Sequence, residues 1–317
     1  MITLTKQQRC TIVGQLWSPK TLEASIPTCE AKVAHERSRI LQIEESVPPQ
    51  IVALTSACEH GGLLIQLANA RLKAGDETAW PLVRLGLWFG TLGLIANERM
   101  YWFNRHRQAF EWQRYDHNYV HGLWMILAAC YWEDTEIVNR LVPVLTRMMR
   151  SPQCLSTSAD VPYQGQCEEK YALARFVGQV LKLRAGIRVP EFLQAGSAEA
   201  PGPLDRWFEC GENGDAQRTT LDLVLDWHLY ECGGFAKKGR CGVVGGVLEI
   251  MTPWEVFAIT LDRYDWIRGV AHPYVRIMLF PPRTVPLVRD NDLEILTRFA
   301  ERVLRETDIY VKEFPSV

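Results

Sequence analysis

Apolar residues recur along most of this chain at three- and four-residue steps, while period-two alternation is scarce. Pro27 to Ser46 has a thin stripe through Val33, Ile40 and Ile43 on a charged background, a helix broken by Pro48-Pro49. Ile51 to Ala74 turns Leu54, Cys58, Ile65 and Leu72 inward, and Gly75 stands where a C-cap belongs. Asp76 caps the next helix, with Pro81 near its start. There Leu85, Leu87, Trp88, Phe89, Leu92, Leu94 and Ile95 leave almost no polar face, so the helix belongs inside a domain. Asp116 to Trp132 repeats the pattern through Val120, Leu123, Trp124, Leu127 and Ala128. Asp134 then caps a helix striped by Ile137, Leu141, Leu145 and Met148, with Pro143 inside it and Ser151-Pro152 ending it. Residues 1 to 26 carry little pattern.

Helices with short loops predict an all-α fold, an antiparallel helical array. Cys154 to Gln166 is a polar connection, which suggests a helical region over 1–153 and another over 154–317, or one continuous domain. In the second region Tyr171 to Leu183 is helical with Gly186 as its stop. Asp215 is placed to cap a helix through Leu221, Val224, Leu225, His228 and Leu229, and a final helix covers about Asp292 to Glu306. Val243 to Met251 and Val275 to Phe280 are the two strand-like runs, so at most one or two short strands are expected in the C-terminal half. The sharpest helix start is Thr252-Pro253-Trp254-Glu255, which reads as a T-x-x-E capping box with proline at the first helical position. Trp254, Phe257, Ala258 and Leu261 follow at helical spacing, and His272-Pro273-Tyr274 ends the run.

Composition narrows the class without naming a reaction. The chain has 317 residues, 47% apolar and 23% charged, with a net charge of −2. That excludes wholesale disorder and does not suggest a basic nucleic-acid-binding domain, with a local basic patch left open. Nine cysteines stand singly with no C-x-x-C, the distribution of reduced, buried thiols. The opening MITLTKQQRC has no signal-like layout, and Arg84 interrupts the longest apolar stretch, so a cytoplasmic protein without membrane contact is expected. Eleven tryptophans leave room for a homodimer, although no heptad seam specifies one.

Several groups carry candidate chemistry. His117 and His121 share a helix face at zinc-ligand spacing, with Asp116 or Glu133 as a nearby carboxylate. Asn118 stands where a metalloprotease helix has its glutamate, so histidines bonding between helices are the simpler reading. The loop GGFAKKGRCGVVGG lacks the P-loop pattern, and its Lys237, Lys238 and Arg240 suit an acidic partner or a phosphate. Asp222 and Asp226 are spaced i, i+4 on one helix face with Glu231 beyond them. They read as solvated surface or as a negative patch for a basic partner.

One order of segments is distinctive. LDLVLDWHLYECGG ends a helix in Trp-His, a basic glycine loop follows, and then come the W-E helix start, an acidic pair and an aromatic-proline step. Together with the proline-containing segment upstream and the Tyr115 to Asp134 helix, this resembles the PoNi-type immunity proteins over about residues 80 to 282. Trp254 and Glu255 are adjacent where the family spaces them, and His272-Pro273-Tyr274 replaces a Tyr-Pro order. The resemblance implies a cytoplasmic, non-enzymatic inhibitor without cofactor or metal, protecting its producer against a cognate toxin encoded nearby. Such toxins are often nuclease effectors of a type VI secretion system. On that reading Asp222, Asp226, Glu231, Asp262 and Asp265 form the partner surface, with Trp266 as an aromatic anchor. The alternatives are a metal-dependent enzyme built on His117 and His121, and a helical-repeat adaptor with several partners.

Overall fold

The structure, a computed structural model, describes residues 3–16, 19–43, 51–106, 116–150, 166–196, 202–211, 213–232, 251–261 and 263–288, with scattered positions between 294 and 308. The fold class is all-α, and no strand occurs among the described residues. The helices are α1 (Lys6–Leu16), α2 (Pro19–Ile43), α3 (Ile51–Lys73), α4 (Trp80–His106), α5 (Asp116–Tyr131) and α6 (Thr135–Arg150). They continue as α7 (Gln166–Arg184), α8 (Pro190–Leu193), α9 (Pro203–Glu209), α10 (Gly214–Glu231), α11 (Trp254–Thr260) and α12 (Tyr264–Arg268). Contacts divide the chain into two compact units. The first takes Met1–Ser18, Leu123–Val138 and Ala159–Arg283; the second takes Pro19–Gly122, Asn139–Ser158 and Thr284–Val317. The polar connection falls mostly at 151–165, outside the described residues.

In the second unit, α4 packs along α3 and α3 along α2. Glycine sets how closely α3 and α4 approach. A Cβ on Gly61 would stand 2.6 Å from the Gly86 carbonyl oxygen, and one on Gly86 would stand 2.5 Å from Ile65 Cγ1. Neither position has room for a side chain. Leu87, Leu92, Leu94 and Ala96 of α4 are buried, as its all-round apolar pattern predicts. The stretch Glu77–Ala96 is long and apolar enough to cross a membrane, and 78% of that window is buried inside the fold. At its polar end Glu98 is buried, and Arg147 of α6 donates to it from Nε and Nη2 at 2.6 and 2.8 Å. His60 is buried between α3 and α4, edge-on to Phe89 at 4.8 Å. Burial, with the Arg37 charge behind it, pushes the His60 pKa down to about 4.

Helix ends follow the sequence where the partner is local. Gly75 takes φ +91°, its N–H donates to Leu72 and that of Asp76 to Arg71, the paired bonds of a Schellman stop. The α5 exit repeats this geometry with Glu133 at φ 56°, and Arg283 Nη2 holds that carboxylate at 2.7 Å. Asp134 Oδ1 accepts from Ile137 N at 3.3 Å, so it caps α6 as read. Other boundaries moved. α2 begins at Pro19 and carries Pro27 within it, and α1 is a helix in the stretch that showed little pattern. Thr5 and Gln8 form its capping box, Thr5 N to Gln8 Oε1 at 2.8 Å and Gln8 N to Thr5 Oγ1 at 3.3 Å. Asn213 caps α10 in place of Asp215.

The first unit centres on the second half of α5, where Leu123 to Ala129 and Tyr131 show no exposure. Tyr131, Trp132, Trp254, Phe257, Tyr264 and Phe280 pack there in tilted and edge-to-face contacts. The Tyr131 hydroxyl and the Trp132 indole donate to the Pro281 and Pro282 carbonyls at 2.7 and 2.9 Å. The segment from Thr252 is two short helices and a final 3-10 turn, Pro273–Arg276, where one longer helix was expected. Leu261, at φ 46° and ψ −112°, breaks the run, and Arg184 of α7 meets the open carbonyls of Ala258 and Ile259 at 3.2 and 3.1 Å. Val275 and Arg276 belong to the 3-10 turn, and Leu279 N donates to Met251 O at 2.8 Å, so the second strand-like run forms no strand; residues 243–250 of the first lie outside the described residues.

Candidate functional site

Helix α10 carries an inward polar stripe in an otherwise apolar face. Asp226 and His228 have no exposure. Four donors close around the Asp226 carboxylate. Arg9 Nε reaches Oδ1 at 2.6 Å and Arg9 Nη2 reaches Oδ2 at 2.7 Å. The Leu4 N–H meets Oδ2 at 3.1 Å, and His272 Nε2 meets Oδ1 at 3.2 Å. His272 Nδ1 accepts from Tyr274 N at 3.2 Å, which leaves the ring proton on Nε2 as donor to Asp226. The same Arg9 Nη2 donates to Asp222 Oδ2 at 2.7 Å, so one guanidinium spans both carboxylates. Burial alone would raise the Asp226 pKa. The hydrogen bonds from His272, Arg9 and Leu4 and the Arg9 charge outweigh it and hold the carboxyl below its ordinary value.

One turn further, His228 Nδ1 meets Glu255 Oε1 at 2.6 Å and His228 Nε2 meets the Tyr274 hydroxyl at 2.8 Å. All three side chains are fully buried, and Trp124 closes edge-on over the imidazole at 6.3 Å. Burial works against a charged His228. The Glu255 carboxylate outweighs it, and the His228 pKa stands well above its ordinary value. Burial is the chief cause that lifts the Tyr274 phenol well above its own, so it remains a hydroxyl. Glu255 Oε2 is buried with no hydrogen-bond partner among the described residues.

Glu255 is therefore not the capping-box partner of Thr252. The N-cap of α11 is Pro253, no side chain caps it, and the carboxylate turns inward to His228. The Glu255–His228 pair is fully buried and joins α11 to α10. Trp254 is core, with no exposure.

Of the six residues read as a partner surface, the five described do not form one exposed patch. Asp226 is fully buried and Glu231 is 5% exposed, so neither side chain is the solvated acid its spacing suggested. Asp222 is partly exposed and held by Arg9. Asp265 stands fully in solvent, 3.9 Å from Arg268 Nη1. Trp266 is half-buried, edge-on to Trp207 at 6.1 Å, with the Arg263 guanidinium 5.8 Å from its ring. Asp262 lies outside the described residues, as do the glycine loop with Lys237, Lys238 and Arg240 and the side chain of His117. Among the described residues no group of three His, Cys, Asp or Glu side chains is arranged for a metal ion.

No protein-family model, curated protein or solved structure matches this chain. The site is read from its own geometry. Arg9, His272 and Tyr274 had no local signature. His228 had one, because a histidine on an apolar helix stripe needs a buried polar partner.

Proposed function

We propose that this chain is a non-enzymatic binding protein of the immunity type, which neutralises a cognate secreted toxin, a nuclease effector, by holding it in the cytoplasm. One observation supports this reading. Three of the segments that carry the resemblance, the Trp-His helix, the Trp-Glu helix start and the Pro-Tyr step, meet on a single buried residue, His228. Spacings set by such a junction belong to the frame of a fold, and a shared frame is what a family resemblance registers. The buried acids and histidines bond to residues of the chain itself, and the exposed side chains offer the first contact to a partner. Asp265 and Trp266, with Arg263 beside them, offer an aromatic anchor with charges of both signs at its rim.

The test is co-expression with the product of the adjacent gene. A stoichiometric complex that rescues cells from a toxic neighbour is the expected result, with Trp266→Ala weakening it. A harmless neighbour that does not co-purify would overturn the reading.

A further inference from the structure

α1 is attached to the first unit in an unusual way. Its start is encoded locally by the Thr5–Gln8 box. Lys6, Gln7, Gln8, Cys10 and Thr11 are exposed. An eleven-residue helix is marginal alone in water, and among its described side chains only Ile12 is fully buried. It lies against α10 and the 3-10 turn, and the Arg9 fork across Asp222 and Asp226, joined by the Leu4 N–H, ties it there. The receiving side is built apart from it. Both aspartates lie one turn apart on α10, and His272, at the cap of the 3-10 turn, bonds Asp226 independently of α1 residues.

We propose that α1 is a tethered arm whose Arg9 occupies a guanidinium-binding cleft made by Asp222, Asp226 and His272, and that the cleft takes an arginine side chain of a basic protein partner when the arm lifts. The planar guanidinium fits because it donates from Nε and Nη2 to one carboxylate and from Nη2 to the next, a geometry the point charge of lysine does not reproduce. Lifting exchanges one arginine for another and leaves no buried carboxylate unpaired, which favours exchange over simple opening. The proposal rests on the binding reading for the identity of the incoming chain.

The test uses the full chain and needs no toxin. Amide hydrogen exchange is measured in α1 and α10, in the wild type and in Arg9→Gln. The α1 amides should exchange faster than those of α10, and Arg9→Gln should lower Tm and speed α1 exchange by a larger factor than it speeds α10 exchange. A synthetic peptide of residues 3–16 should then bind the Arg9→Gln chain saturably, roughly tenfold tighter than the same peptide carrying Arg9→Gln. Acetyl-arginine amide should speed α1 exchange in the wild type, where acetyl-lysine amide should not. If α1 exchanges only together with α10, or if the two peptides bind alike or not at all, the arm is part of the core and the proposal fails. Should Arg9→Gln not fold, Arg9→Lys serves with the same peptides and the same criteria. A rigid α1 leaves the co-expression result standing, and a missing complex leaves the cleft standing.

Discussion

The α3–α4 seam of the second unit and the α10 junctions of the first are closed by opposite means. In the second, α3 and α4 meet where Gly61 and Gly86 remove side chains altogether, and the buried His60 ring beside them is held from taking a proton down to about pH 4. In the first, the helices are joined by buried polar pairs, Asp226 with His272 and Glu255 with His228. A glycine seam tolerates no added volume, and a buried ion pair tolerates no missing partner. The units should therefore fail under different insults.

The most damaging change is Glu255→Leu. It strands the buried His228 Nδ1 and should cost about 3–5 kcal/mol in denaturant unfolding, in the range for breaking one side of a buried pair. Glu255→Gln keeps a hydrogen bond and should cost less; equal losses would show that the charge contributes nothing. Acid and base should separate the units next. His60 has a folded pKa of about 4 against an ordinary 6.5, so below 6.5 the unfolded chain binds the proton that the folded chain refuses. Stability is lost as pH falls from 6.5 to 4, by about 3 kcal/mol at most, and His60→Leu should remove that part of the slope. His228 runs the other way. Its folded pKa is raised, so its contribution is complete below the unfolded value and is lost as pH climbs through the folded one. Glu255→Gln should flatten that alkaline slope and leave the acid slope alone.

A smaller effect is expected at Gly86→Ala. Its Cβ would meet Ile65 Cγ1 at 2.5 Å and the Gly61 carbonyl at 2.7 Å, and overpacking of this kind costs about 1–3 kcal/mol. Exchange protection should fall in α3 and α4 and hold in α10. At the low end, Asp265→Lys should leave Tm where it is, since the carboxylate is fully in solvent. A change there would mean that this side chain has a structural partner.

Two capping boxes show what could be read in advance. T-x-x-Q at Thr5 is a real box in a stretch of little periodicity, while T-x-x-E at Thr252 is none, because its glutamate has a buried histidine to meet. Local stops such as Gly75 and Gly186, and the all-round burial of α4, were legible because backbone and neighbours decide them. Asp222 and Asp226 were correctly placed on one helix face, but their partner stands 213 and 217 positions away at Arg9. No spacing rule reaches so far. Leu261 was read as core from its period and instead takes the left-handed turn that splits the helix.

That same separation bears on how the chain is made. Arg9 leaves the ribosome first and Asp226 follows 217 residues later. At about 5–20 residues per second, the wait is roughly 10–40 s. Through that interval α1 exists as a nascent helix with a loose cation, and neither aspartate of its cleft has yet been synthesised. The first unit can be finished only after His272 has emerged, so its oldest segment is also among the last to find its place.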